Sequence, residues 1–311
     1  MTAFAHTPVM PNEVISGLDI KADGVYFDGT LGGGGHSELI LSKLTSGKLI
    51  AVDKDADALM FAAERLSPFH DKVIFAHDDF KNAEKILAGF QVKALDGVLL
   101  DLGVSSYQLD NAERGFSYMK DAPLDMRMDA SQYLTAFNVV NEYPLAELSR
   151  VISDYGEDKL ARRIAERIVK ARDKKTIATT AELAEIVTAA YPAATRFKYG
   201  NPAKRTFQAI RIEVNEELSG LYDAVLSLAR SLKVGGRMAV ISFHSLEDRI
   251  IKNAFKYLES PCVCPPNMPV CTCGKTAQAK VLTKKPITPT KEEMKANSRA
   301  ESAKLRIIER I

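Results

Sequence analysis

Apolar positions along this chain follow two different periods, and the switches between them predict its elements. Short apolar or β-branched runs at Val25–Asp28, Lys48–Asp53, 72–76 and 96–101 read as four buried strands. Between them, residues 38–44, 56–66 and 81–90 carry the helical period. Strand followed by helix, repeated, is the pattern of a parallel sheet covered by helices.

After Asp101 the alternation stops. Residues 105–205 show helical periods and turn chemistry without a convincing strand, which predicts a helical domain inserted between 1–104 and 206–311. Within it Leu160, Ile164 and Ile168, beside Ala161 and Ala165, form an apolar stripe, with Lys159, Arg162, Arg163 and Lys170 on the other side. Beyond Pro202 one long helical pattern runs through Phe207, Ile210, Val214, Leu218, Leu221 and Val225 to Leu232. Residues 238–243 then read as a fifth buried strand and 246–258 as a helix. Two alternating segments follow, 280–285 and 303–309, with no helical period between them. The expected fold is therefore α/β, a Rossmann-like sheet closing with an antiparallel strand pair and carrying an inserted all-helical domain. That closure is expected of class I methyltransferases, whereas a dinucleotide dehydrogenase would more often continue βαβ.

Composition changes this picture little. A chain of 311 residues, 46% apolar and 26% charged, suits a globular protein of one large and one smaller domain. No apolar run is long enough to span a bilayer, and the opening MTAFAHTPVM lacks the order of a signal peptide, so a cytoplasmic location and no membrane partner are expected. Net charge is only +2, so any nucleic-acid surface must be local. Residues 159–175 hold eight basic and two acidic side chains, and 280–310 nine basic and four acidic. Most such runs are solvated faces.

The chemistry concentrates at strand ends. The loop DGTLGGGGHS, residues 28–37, follows the first strand and opens a helix. Four consecutive glycines cost more backbone entropy than a turn requires, and they let a ligand approach main-chain N–H groups. The dinucleotide spacing G-x-G-x-x-G fails because Ser37 stands where the third glycine belongs, while the looser D-x-x-x-G-x-G fits Asp28 through Gly34. Asp53, ending the second strand, can accept both hydroxyls of an adenosine ribose, a requirement shared by NAD and S-adenosylmethionine; it could equally cap the helix that begins near Asp55. Asp78-Asp79-Phe80 after the third strand offers acceptors for an adenine amine and a ring face, although a lone Phe is more often core.

The fourth strand runs into DGVLLDLGVSSYQLDNAERGF, residues 96–116, followed by Pro123-Leu124-Asp125-Met126-Arg127-Met128. With the glycine loop, FQAIRIEVNEEL at 207–218 and SFHSLEDRIIK at 242–252, these stretches closely resemble the RsmH (MraW) family, bacterial methyltransferases of cytidine N4 in 16S ribosomal RNA. The resemblance extends from His6-Thr7-Pro8-Val9-Met10 to Asn297-Ser298-Arg299-Ala300 and on to Arg306. It implies S-adenosyl-L-methionine as cofactor, bound by Gly34, Gly35, His36, Asp53, Phe80, Asp101 and Gln108. It further implies substrate recognition by the helical insert, and 16S ribosomal RNA or the small ribosomal subunit as partner, not DNA. On that reading the basic run matters, and Arg162, Arg163, Lys204 and Arg205 are the expected RNA contacts. Asp101 is the expected catalytic residue, standing where amino-methyltransferases carry the acid of an Asp/Asn-Pro-Pro-aromatic motif. Here Leu102, Gly103 and Val104 follow, so another ring must stack the base, with Tyr107, Phe116 and Phe243 as candidates.

Four cysteines, Cys262, Cys264, Cys271 and Cys273, crowd one Pro-rich segment and occur nowhere else. Structural zinc sites usually separate the paired cysteines by two or more residues and here the gap is one, so no metal is assigned from spacing. Competing readings are a methyltransferase for another amine, an assembly factor that binds RNA without turnover, and a nicotinamide-dependent oxidoreductase.

Overall fold

The computed structural model describes residues 8–311 except Thr195, Tyr199, 266–269 and Cys271, so His6, Thr7 and Cys271 of the motifs above lie outside the described residues. The chain divides into two compact units, one of residues 1–103 with 218–311, the other of 104–217.

The first unit begins with α1 (Pro11–Leu18), then alternates β1 (Val25–Asp28), α2 (Gly35–Leu41), β2 (Lys48–Asp53), α3 (Ala56–Arg65), β3 (Val73–His77), α4 (Ala83–Gly89) and β4 (Leu95–Asp101). The second holds α5 (Ser106–Asp110), α6 (Ala136–Glu142), α7 (Leu145–Gly156), α8 (Ala161–Arg172), α9 (Thr180–Ala190) and α10 (Ala203–Asn215). The chain then re-enters the first unit through α11 (Leu221–Arg230), β5 (Leu232–Ser242), α12 (Ser245–Glu259), β6 (Ala279–Val281), α13 (Lys291–Ala296) and β7 (Lys304–Arg310).

The sheet runs β3-β2-β1-β4-β5-β7-β6, parallel through β5, with β7 antiparallel to both β5 and β6. Alternate residues feed opposite faces, as the pleat dictates. Phe27, Ile50, Val98, Leu100, Met238 and Val240 pack with Ile86, Leu221, Val225 and Phe255. Tyr26, Leu49, Ala51, Leu99, Ala239 and Ile241 pack with Val14, Leu18, Ile40 and Ala62 on the other side. Both faces are covered, which is why the strands read as continuous apolar runs.

Three expectations are corrected. The pattern beyond Pro202 is two helices: α10 stops where Glu216 takes φ 49°, and α11 starts after Gly220 at φ 69°. The long α10 packs along α7 in the helical unit, so that unit extends to Glu217 instead of ending at 205. The segment between β6 and β7 also holds α13, capped by Thr290, whose Oγ1 accepts from Glu293 N–H, and too short to display a period.

Among the described residues the helical unit contains no strand, only isolated bridges, Pro123 with Thr179 and Lys198 with Gly200. Its core collects Val139, Leu148, Ile152, Ile164, Ile168, Leu183, Phe207 and Ile210. A polar clamp joins α10 to the segment before α6. Buried Asn215 accepts from Met128 N–H at 2.7 Å and donates to the carbonyls of Met126 at 2.7 Å and Arg211 at 2.9 Å, beside Met126 at φ 59°. Asn215→Ala strands buried backbone groups and should cost about 2–4 kcal/mol, read as a lowered urea midpoint.

Candidate active site

In the sheet order, β1 and β4 are neighbours whose following connections leave in opposite directions, and ligands of open α/β sheets bind in the crevice beyond such a pair. The glycine loop lies at this place and is stitched to three strands. Gly29 N–H donates to Leu99 O at 3.0 Å and Leu31 N–H to Val52 O at 2.9 Å. Asp101 N–H donates to Thr30 Oγ1 at 2.6 Å, and Gly32 N–H to Asp53 Oδ2 at 2.7 Å. Arg65, paired with Glu38, donates to Gly33 O at 3.2 Å.

The glycines of the loop serve different needs. A Cβ on Gly29 would stand 2.6 Å from Leu100 and 2.8 Å from Phe80, so packing alone excludes it. Gly34 takes φ 75°, strained for any other residue, and Gly35 abuts Pro8. Gly33 differs, since a Cβ there would find its nearest atom in Phe61 at 4.0 Å. Packing within the chain therefore does not demand glycine at this position.

Three carboxyl groups end parallel strands here. Asp28 is buried, accepts from Ser37 Oγ at 2.7 Å and Thr30 N–H at 3.1 Å, and is pushed up to about 6 by burial. Asp53 accepts from Gly32 N–H and, at 2.9 Å, from Asp55 N–H; burial again pushes it up to about 6. The cap of α3 is Asp55, not Asp53. Asp101 is held highest, at about 8, by burial and then by the charges of Asp28 and Glu247. Its Oδ1 is buried with no hydrogen-bond partner among the described residues, and its Oδ2 lies 3.6 Å from Nε2 of buried His36. Such a carboxyl suits a cation or an N–H donor brought by a ligand.

Of the other expected cofactor residues, Phe80 is half-buried beside Gly29 and packs on the sheet core. Asp78 is engaged with Asn82, Lys85 and Asp79 N–H, contacts that hold its carboxyl below the usual range, so its carboxylate serves the local turn. Gln108 belongs to the helical unit, where its Oε1 accepts from Ser105 N–H at 2.9 Å in the cap of α5. The stacking candidates divide too. Phe116 is packed in the helical core, Tyr107 is half-buried in the same unit, and Phe243 lies against Gly103, which takes φ 103° at the end of β4. Sequence reasoning missed His244 and Glu247. Glu247 accepts from the N–H of Phe243 at 2.8 Å and lies 3.2 Å from His244 Nε2, both side chains buried. The run SFHSLEDR reads as a helix cap, and only the burial of its Glu in the fold marks it as more than one.

In the helical unit Arg162 and Arg163 are exposed on α8, with Arg162 paired to Glu166 at 3.0 Å. Lys204 and Arg205 are exposed on α10, and Arg205 donates to Glu157 O at 3.3 Å. Both helices pack against α7. Arg172, counted in the same basic run, donates to the carbonyls of Val140 and Tyr143 and is structural. Among the described residues no helix is long and apolar enough to cross a membrane.

Comparison with known proteins adds a family. The model described as MraW methylase family matches residues 3–311. The chain is 54% identical over 99% of both chains to the ribosomal RNA small subunit methyltransferase H of Clostridium botulinum. It is 52% identical to the protein of that name from Carboxydothermus hydrogenoformans, covering 99% of this chain and 98% of that one. With that of Clostridioides difficile it shares 51% identity over 99% of each.

The raised Asp101 carboxyl has a stability consequence. The folded protein keeps a proton on it up to about 8, whereas the unfolded chain loses it near ~4. Stability must therefore fall as pH rises through that window. Asp101→Asn removes the contribution: wild type and variant should have similar urea midpoints near pH ~4, and the variant should be the more stable above pH ~8. Parallel midpoints across the range would show that the carboxyl ionises normally.

Proposed function

The chain belongs to the MraW methylase family, and from that premise we propose that it methylates the N4 amine of a cytidine in the decoding region of 16S ribosomal RNA, using S-adenosyl-L-methionine, in the cytoplasm where small subunits are made. The observation that carries the reading is Asp101, a carboxyl at a strand end beside the glycine loop, whose Oδ1 is buried and unpartnered among the described residues. The names of relatives more than half identical over nearly the whole chain support the RNA substrate.

Bound S-adenosylmethionine supplies an electrophilic methyl group on a sulfonium. The residues of this chain do the rest. Asp53, oriented by Gly32 and Asp55, accepts the ribose hydroxyls with its remaining lone pairs, Phe80 offers a ring face to the adenine, and Gly34, Gly35 and His36 line the loop. The family resemblance assigns Gln108 to the cofactor as well.

A cytosine amine is a poor nucleophile because its lone pair is delocalised into the ring. Asp101 Oδ1 accepts an amine N–H, which localises the lone pair and strengthens as the nitrogen becomes cationic, a gain specific to the transition state. After transfer the excess amine proton passes to the carboxylate. A cationic ligand beside Asp101 draws its carboxyl down from about 8 and makes the ionised acceptor available at neutral pH. Phe243, half-buried against Gly103, is the ring we assign to stack an unpaired base, and the exposed Arg162, Arg163, Lys204 and Arg205 contact phosphates.

Two measurements test this. Asp101→Asn should lower the methylation rate of small subunits by about 10²-fold or more at saturating cofactor, with cofactor affinity changed much less; full recovery at saturation would make Asp101 a binding residue only, and mass spectrometry of the product RNA identifies the base and atom. Replacing Arg162 and Arg163 by Ala should weaken RNA binding and reduce its salt slope by about 0.7–0.9 per lost contact, and an unchanged slope would make the face ordinary solvated surface.

A further inference from the structure

The twenty or so residues between α12 and β6 are anchored at both ends. Gln278 N–H donates to Leu258 O at 2.8 Å, and Val281 N–H to Glu259 Oε1 at 2.9 Å. Between the anchors burial does little. Val263 is 64% and Val270 69% exposed, and no residue described from Cys262 to Ala277 is buried. A segment without a core of its own is a place where a cross-link or a metal can fix the chain. This is also where the chain places every one of its cysteines, a residue type that elsewhere is among the most buried.

The described sulfurs converge. The Sγ atoms of Cys262, Cys264 and Cys273 all lie within 4.8 Å of one another, and those of Cys262 and Cys273 are 3.8 Å apart. A disulfide would need about 2.05 Å. Thiolates held about 2.3 Å from a tetrahedral zinc ion stand about 3.8 Å apart along each edge, the geometric consequence of that bond length. The one-residue gap within each pair argued against a metal from sequence. The fold answers that objection, because Cys262 and Cys264 meet a cysteine from the far side of the loop, so the grouping does not depend on the spacing within a pair.

We propose that Cys262, Cys264 and Cys273 are thiolate ligands of a structural divalent ion of the zinc class, which fixes the loop joining α12 to the closing strands. Soft thiolate donors select zinc over magnesium or calcium. Each thiol gives up its proton on binding, so the site weakens as pH falls. Cys271 lies outside the described residues, and the number of thiolates on the metal is itself measurable.

The test uses the full chain, purified without a tag and under argon. Elemental analysis should find about one zinc per chain, falling below about 0.2 in the Cys262→Ser/Cys273→Ser double variant. Should that variant fail to fold, cobalt(II) is exchanged into the wild-type protein. A thiolate-to-cobalt charge-transfer band with tetrahedral ligand-field bands supports the site, and its intensity counts the thiolates. Zinc below about 0.2 per chain in wild type even after dialysis against zinc, equal zinc in wild type and the double variant, a cobalt spectrum without thiolate character, or a Cys262–Cys273 disulfide in freshly isolated protein would each overturn the proposal.

Discussion

Carboxyl groups gathered at the ends of β1, β2 and β4 govern the candidate site. Burial raises all three, and the chain answers unequally. Asp28 receives Ser37 and Thr30, and Asp53 receives the main chain at Gly32 and Asp55. The glycine loop is thus a set of donors for acids as well as a gap for a ligand. Asp101 is left with an oxygen that no described residue partners and with two acidic neighbours, Asp28 and Glu247. Its environment is unfavourable until something positive or N–H-bearing arrives, so the affinity of the site for such a group is written into the cost of folding without it.

The same arrangement shows what the amino-acid order makes legible. Strands covered on both faces announce themselves as apolar runs, and acids at their ends mark the ligand edge, so Asp28, Asp53 and Asp101 could be picked out directly. Where the chain uses one residue for two purposes, pattern reading fails. Glu247 looks like an ordinary cap residue, and only its burial beside His244 and its field on Asp101 reveal more. The periodicity of α10 and α11 is continuous across Glu216–Gly220 because both helices are amphipathic, and backbone angles rather than hydrophobicity separate them. Phe116 had the chemistry of a stacking ring but its packing assigns it to a core.

Division of labour between the units follows from what each can hold rigid. A sheet fixes strand ends to fractions of an ångström, which suits the groups that must meet a reacting atom. Helices such as α8 and α10 instead present rows of long cationic side chains whose positions can adjust, which suits a polyanion recognised mainly through its backbone. The Asn215 clamp ties the last helix of that unit to its first long segment, so the cationic rows are carried on a closed body, not on a floppy excursion.

The insertion also bears on how the sheet is closed. β4 ends at Asp101, while β5, the strand it must pair with, begins only at Leu232. Were the intervening chain unfolded, bringing these central strands together would mean closing a very long loop, at an entropic cost that grows with the logarithm of its length. The helical unit is built of near-neighbour packing, α7 on α8 and α8 on α9, which forms quickly. A compact unit in that place replaces an open chain between β4 and β5, so the contacts that hold the helical unit together also bear on the closure of the sheet.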